Sequence, residues 1–122
     1  MMFKKIVLYF LLLIGIIFPF FSHAFEIPPV GDKTDRVRDY AGVLSTEEEQ
    51  ALENKVHAIE DATNSQIAVV IIPSLSGEDI DELGARWAEE RGVGYRGVDN
   101  GIFVLVAIDD HKRRIDVGYG LE

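Results

Sequence analysis

Two apolar runs decide what this chain can become. They are Gln66-Ile67-Ala68-Val69-Val70-Ile71-Ile72, closed by Pro73, and Gly101-Ile102-Phe103-Val104-Leu105-Val106-Ala107-Ile108. Both are of strand length, rich in Val and Ile, and neither alternates with polar residues. Each therefore reads as a strand buried on both faces. A strand covered above and below needs helices to cover it, and a helical pattern lies between the two runs. That order predicts two parallel strands joined by a right-handed crossover.

The helical signals on either side agree. Ser45-Thr46-Glu47-Glu48 is a capping box, a serine cap with glutamate three residues on. Glu47, Glu48 and Glu49 sit where a helix dipole favours anions. Leu52, Val56 and Ile59 make one apolar stripe, so the first helix spans 46–63 and ends at Asn64-Ser65. A second helix is expected over 78–91, capped by Ser76 with Asp79 as reciprocal partner, and burying Ile80, Leu83 and Trp87. Glu82–Arg86 and Arg86–Glu90 have the spacing of outward ion pairs, as do Glu53 and His57. Gly84 costs this helix about 1 kcal/mol against Ala, which predicts close packing on the sheet. Gly92 is a natural stop. After the second apolar run, Asp109-Asp110-His111-Lys112 reads as a turn. Ile115, Val117 and Tyr119 then alternate with Arg114, Asp116 and Gly118, the period of a half-exposed antiparallel strand over 113–119. The fold class is α/β: an α-β-α-β-β sandwich with two parallel strands, an antiparallel hairpin strand, and helices packed on the sheet.

Residues 1–24 have the pattern of a secretory signal peptide. Lys4 and Lys5 precede an apolar stretch from Ile6 to Phe21, and Ser22-His23-Ala24 offers small residues at the cleavage positions. Cleavage after Ala24 is expected; retention as a membrane anchor is the alternative, disfavoured by the short run and by Pro19. Residues 25–38 carry two prolines and read as an extended lead-in, and 39–122 as the folded domain. The expected location is periplasmic or extracellular, or membrane-anchored in a longer form.

Composition narrows the function. The 122 residues include 21 acidic and 12 basic side chains, a net charge of −9, which becomes −11 once Lys4 and Lys5 are removed. A nucleic acid would want the opposite sign. Without cysteine there is no disulfide frame, thiol nucleophile or cysteine zinc site. Gly92-Val93-Gly94-Tyr95-Arg96-Gly97 spells the dinucleotide fingerprint, but a helix precedes it and a strand follows, the reverse of what a pyrophosphate needs. No nucleotide is expected. Asp79-Ile80-Asp81 opens a helix instead of closing a strand, so it is not an aspartyl-phosphate motif. His57 and His111 have no second histidine nearby in sequence for zinc.

Topology offers one constellation. The two parallel strands start at the same end of the sheet, and the hairpin strand returns to that end. Asn64-Ser65, Asp99-Asn100-Gly101 and Gly118-Tyr119-Gly120-Leu121-Glu122 should therefore converge. Carboxylate and carbonyl oxygens on glycine-rich loops suit Ca²⁺ or Mg²⁺, so Asp99, Asn100 and Glu122 are candidate ligands, on the backbone of Gly101, Gly118, Tyr119 and Gly120. The bland alternative is that Asp-Asn-Gly is only a turn. At the opposite end, Asp109 and Asp110 with Ser74 and Ser76 form a second-choice site.

In order, DYAGVLS at 39–45, QIAVVII at 66–72, GVGYRGVDNG at 92–101 and VGYGLE at 117–122 resemble the TPM-domain family. Its members include secreted or membrane-anchored bacterial proteins and thylakoid-lumen proteins associated with photosystem II upkeep. The resemblance implies an α/β sandwich and, by analogy with some members, divalent-metal binding or acid-phosphatase activity. It places Asp99, Asn100 and Gly101 on the family's DNG, and Gly118 to Glu122 on its GYGLE. Two functions follow as expectations. One is a divalent-cation-binding accessory module in envelope or membrane-protein maintenance, with membrane proteins as partners. The other is a metal-dependent acid phosphatase, although no nucleophile with a paired base is visible. In the family the chain continues past GYGLE with further helices; here it stops at Glu122, so either a fragment or a truncated gene product, with an incomplete ligand set, is expected.

Overall fold

A computed structural model describes residues 25–29, 35–92 and 100–121. The expected signal peptide, the 93–97 part of the glycine-rich decoy, Asp99 and Glu122 lie outside the described residues. Among the described residues no helix is long and apolar enough to cross a membrane. The elements run β1 (Val37–Asp39), α1 (Thr46–Thr63), β2 (Gln66–Ile72), α2 (Ile80–Arg91), β3 (Gly101–Ala107), β4 (Lys112–Val117) and a short 3-10 turn at Tyr119–Leu121. They form a four-stranded sheet in the order β1-β2-β3-β4. β1, β2 and β3 are parallel and β4 is antiparallel to β3. This is the α/β sheet with helices packed on it that the two apolar runs predict.

The sheet gains β1 inside what the sequence reads as an extended lead-in. Only three residues pair, Val37 with Val69, Arg38 with Val70 and Asp39 with Ile71, too short and too charged a stretch to announce itself. Non-local bonds hold it. Tyr40 N donates to Ile71 O at 2.8 Å, and Val69 N donates to Arg36 O at 2.8 Å. On its outer side, the Glu53 carboxylate of α1 accepts from Arg36 N and Val37 N, both at 2.7 Å. Asp39 then ends the strand. Its carboxylate accepts from the amides of Ala41, Gly42 and Leu44, turning the chain into α1. The conformation needs Gly42 at φ 67°, which an L side chain would strain.

α1 begins with the expected capping box: Ser45 Oγ accepts from Glu48 N, and the Glu48 carboxylate accepts from Ser45 N. These two bonds hold the Glu48 carboxyl below its ordinary pKa. α1 ends at Asn64 in the left-handed conformation. α2 corrects the expectation for its start. It begins at Ile80, and its cap is Asp79, whose carboxylate accepts from Asp81 N and Glu82 N. Ser76 lies in a turn at positive φ, closed by Glu78 N to Leu75 O. A carboxylate at a helix N-terminus satisfies the same orphan amides and adds charge to the dipole interaction. Arg86 also departs from its expected partners. It reaches Glu78 at 3.2 Å and the Phe25 carbonyl at 3.1 Å, fastening the lead-in to the helix.

The core lies between α2 and one face of the sheet. Ala68, Val70 and Ile72 of β2 and Phe103, Leu105 and Ala107 of β3 meet Leu75, Leu83 and Trp87. Phe25, Ile27, Ile80 and Ala88 pack around them. Trp87 stands 5.7 Å from the Phe25 ring and 6.1 Å from the Tyr40 ring, tilted against both. The other face carries α1, which buries Val56 and packs on β1 and β2.

The register shows which way β4 faces. Arg114 is opposite Leu105 and Asp116 opposite Phe103, so the charged face of β4 looks toward α2. Gly84 explains how that fits. A Cβ there would stand 2.7 Å from Arg114 Cδ, so the expected close approach is a notch for an arginine stem. Arg114 is then fixed by Asp116 at 2.6 Å and Asp81 at 2.7 Å, and the hydrogen bonds to Asp116 and Asp81 hold its pKa above the usual arginine range. Ile115 and Val117 face the opposite side, beside Val104 and Ile102.

Candidate functional site

The sheet end where β2 and β3 begin gathers the residues that topology predicts. Gln66 is in register with Gly101, and Gln66 N donates to Asn100 O at 3.1 Å. The Asn100 side-chain amide donates to the Asn64 carbonyl, at the left-handed end of α1. Asn100 is buried, 5% exposed. On its other side, Gly118 N donates to Gly101 O at 2.8 Å, and Leu121 N donates to Gly118 O at 3.0 Å. The three segments thus meet as expected: Asn64, Asn100-Gly101 and Gly118–Leu121 share one edge. Asp99 precedes this edge and Glu122 follows it, both outside the described residues.

The bonding indicates what each component does. Asn64 O and Gly101 O each accept a hydrogen bond within the edge, so the backbone here is largely engaged in holding it together. The carboxylates that the sequence nominates for a cation, Asp99 and Glu122, are outside the described residues. These hard oxygen donors are of the type Ca²⁺ and Mg²⁺ prefer. Among the described residues, no group of three or more His, Asp or Glu is arranged to hold a metal.

The second-choice residues also come together, at the opposite end. Asp110 accepts from Leu75 N at 2.8 Å, and Asp109 N donates to Pro73 O at 2.9 Å. Ser74 Oγ accepts from Ser76 N at 3.1 Å. The Asp110 carboxylate ties the β3–β4 turn to the loop leaving β2.

Two charged groups on the β1 side have no sequence signal of their own. Glu60 pairs with Arg36 at 3.1 Å and accepts from the Gln66 side chain at 3.2 Å, joining α1, β1 and β2 near the same end. Arg91, in the last turn of α2, is only 7% exposed, and its Nη2 has no hydrogen-bond partner. From sequence it is one more basic residue at a helix C-terminus.

With the fold and its glycine-rich edge in place, likeness to known proteins becomes specific. The family model described as TPM domain matches residues 37–122, and the chain belongs to that family. Among solved structures it is similar to the N-terminal domain of a protein from P. gingivalis, determined by solution NMR. The TM-score is 0.69 at 32% identity, covering 75% of this chain and 59% of that one. It is also similar to the N-terminal domain of a Corynebacterium glutamicum protein, with a TM-score of 0.61 at 19% identity, covering 81% and 63%. The chain thus spans less than two thirds of either neighbour. No curated protein matches it.

Proposed function

We propose that this TPM domain is an exported accessory module that takes a divalent cation, Ca²⁺ or Mg²⁺, at the edge flanked by Asp99 and Glu122, with Asn100 between them. The observation that carries the reading is the bond from Gly118 N to Gly101 O. It holds the segment leading to Glu122 against the strand that follows Asp99 and Asn100. The buried Asn100 amide pins the start of that strand to Asn64. The net charge of −9 adds an attractive field for a cation. Export rests on the Lys4-Lys5, Ile6–Phe21 and Ser22-His23-Ala24 pattern. A role in envelope or membrane-protein maintenance rests on the likeness to secreted and thylakoid-lumen members.

Calorimetric titration with Ca²⁺ and Mg²⁺ tests the site. A saturable isotherm weakened at least tenfold by Asp99→Ala, with no turnover of a phosphomonoester, is the expected result. Equal binding by the parent and Asp99→Ala makes Asp-Asn-Gly a structural turn and removes the reading. Phosphomonoester turnover that needs the cation and is lost in Asp99→Ala would replace the module with the phosphatase.

A further inference from the structure

Among the described residues, Arg91 is a costly side chain to have placed where it is, 7% exposed with a buried donor unmet. A guanidinium taken out of water costs several kcal/mol unless its donors are met, yet its Nη2 is buried without a partner. Its surroundings add to the cost. Burial, and the like charges of Arg38 and Arg36, push its pKa below the usual arginine range, with Tyr40 and Asp35 acting in the other direction. In an acidic protein, a buried, unmet guanidinium donor that also feels the positive charges of Arg38 and Arg36 is an arrangement that wants an anion.

The placement follows from the fold. Arg38 is in register with Val70, whose side chain lies in the core with Trp87, so Arg38 belongs to the α2 face of β1. Tyr40 lies two residues further on the same face, with its ring against Trp87. Arg91 is one helical turn beyond Trp87. Arg38 and Arg91 are thus set side by side, one on the edge strand and one on the helix. Arg36 is already paired with Glu60. Arg38 is paired with Asp35 at 2.7 Å, in a partly exposed contact near the chain's entrance to the sheet.

We propose that Arg91 and Arg38 form a binding site for a compact oxyanion, a phosphate or carboxylate group carried by a ligand, and that the Asp35 carboxylate holds its place in the ligand-free protein. A planar guanidinium fork suits either group, since both present paired oxygens to parallel N–H donors. The ligand enters beside Tyr40, where the surface is open and an aromatic ring is available to the body of the molecule. None of this depends on the Asp99 edge, so the two assignments stand or fall separately.

The test is titration of the full chain with inorganic phosphate, and with acetate as the carboxylate arm, in EDTA and with chloride matching the ionic strength. EDTA excludes phosphate held through a divalent cation. Saturable binding of phosphate, of acetate or of both supports the site, and the arm that binds names the oxyanion. Asp35→Asn should bind several-fold more tightly, because the resident carboxylate is gone. Arg91→Met should bind at least tenfold more weakly, while its ligand-free melting temperature stays level or rises. A merely structural arginine would give the reverse: a lower melting temperature with oxyanion binding intact. If Arg91→Met does not fold, Arg38→Met on the edge strand serves instead, with the same weakening expected. Stabilisation no greater than that by chloride, or parental affinity in the arginine variant, overturns the proposal.

Discussion

The two faces of the sheet are built to different standards. On the α2 face, β2, β3 and the helix close over Leu83 and Leu105, which have no exposure, and Arg114 and Asp116 on the charged side of β4 are partly covered as well. On the α1 face, the helix packs chiefly on β1 and β2. There Val37, Val56 and Ile71 are buried, but Ile115 is 59% and Val117 44% exposed. In β3, Ile102, Val104 and Val106 are half-buried while Phe103, Leu105 and Ala107 are fully buried. The same strand is finished on one side and open on the other. A continuous apolar run therefore states that both faces are apolar, and leaves open how much of each is covered.

That comparison can be broken by substitution. Trp87→Ala removes the largest side chain of the closed face and should cost about 3–5 kcal/mol, a large share of the ~5–15 kcal/mol available to a small domain. Chemical denaturation measures it, and a loss under about 1 kcal/mol would mean that α2 is not the principal cover. Gly84→Ala is a finer probe of the same face. Helix propensity favours alanine by about 1 kcal/mol, but the new methyl meets Arg114 at 2.7 Å. Since Arg114 is tied to both Asp116 and Asp81, the variant should lose stability in the parent. In an Arg114→Ala background, where the notch is vacant, it should instead gain up to about 1 kcal/mol. The same sign in both backgrounds would show that the notch is not what selects glycine. Ile115→Thr, on the open face, should change stability in chemical denaturation by less than about 0.5 kcal/mol. A loss above about 1 kcal/mol would show that the second face is covered in solution.

What was legible in the sequence was local. The capping box at Ser45 and Glu48, the two apolar strands, the Trp87 stripe and the tight spot at Gly84 follow from spacing and propensity within a few residues. What was not legible depends on distant partners. β1 exists because β2 and Glu53 bond it, 16 or more residues away in sequence. Alternation put Ile115 and Val117 on one face of β4, but where α2 lands decides which face that is. The meeting of Asn64, Asn100 and Gly118 was legible because it needs only strand directions. The isolation of Arg91 was not, because a basic residue in the last turn of a helix ordinarily serves the dipole in solvent.

The Glu53 clasp on β1 also governs how copies of this domain can assemble. A sheet with two free edges can propagate head to tail, the last strand of one copy beside the first strand of the next, and such a contact need not close on itself. Here one edge is three residues long, and the amide of Val37, which looks away from β2, is already bonded to a carboxylate. Propagation in that sense must break charge-assisted bonds before it makes any. The remaining edge, β4, can meet only another β4 about a two-fold axis. One glutamate thus closes the route to an open polymer and leaves a two-fold pair as the form that edge-to-edge assembly can take.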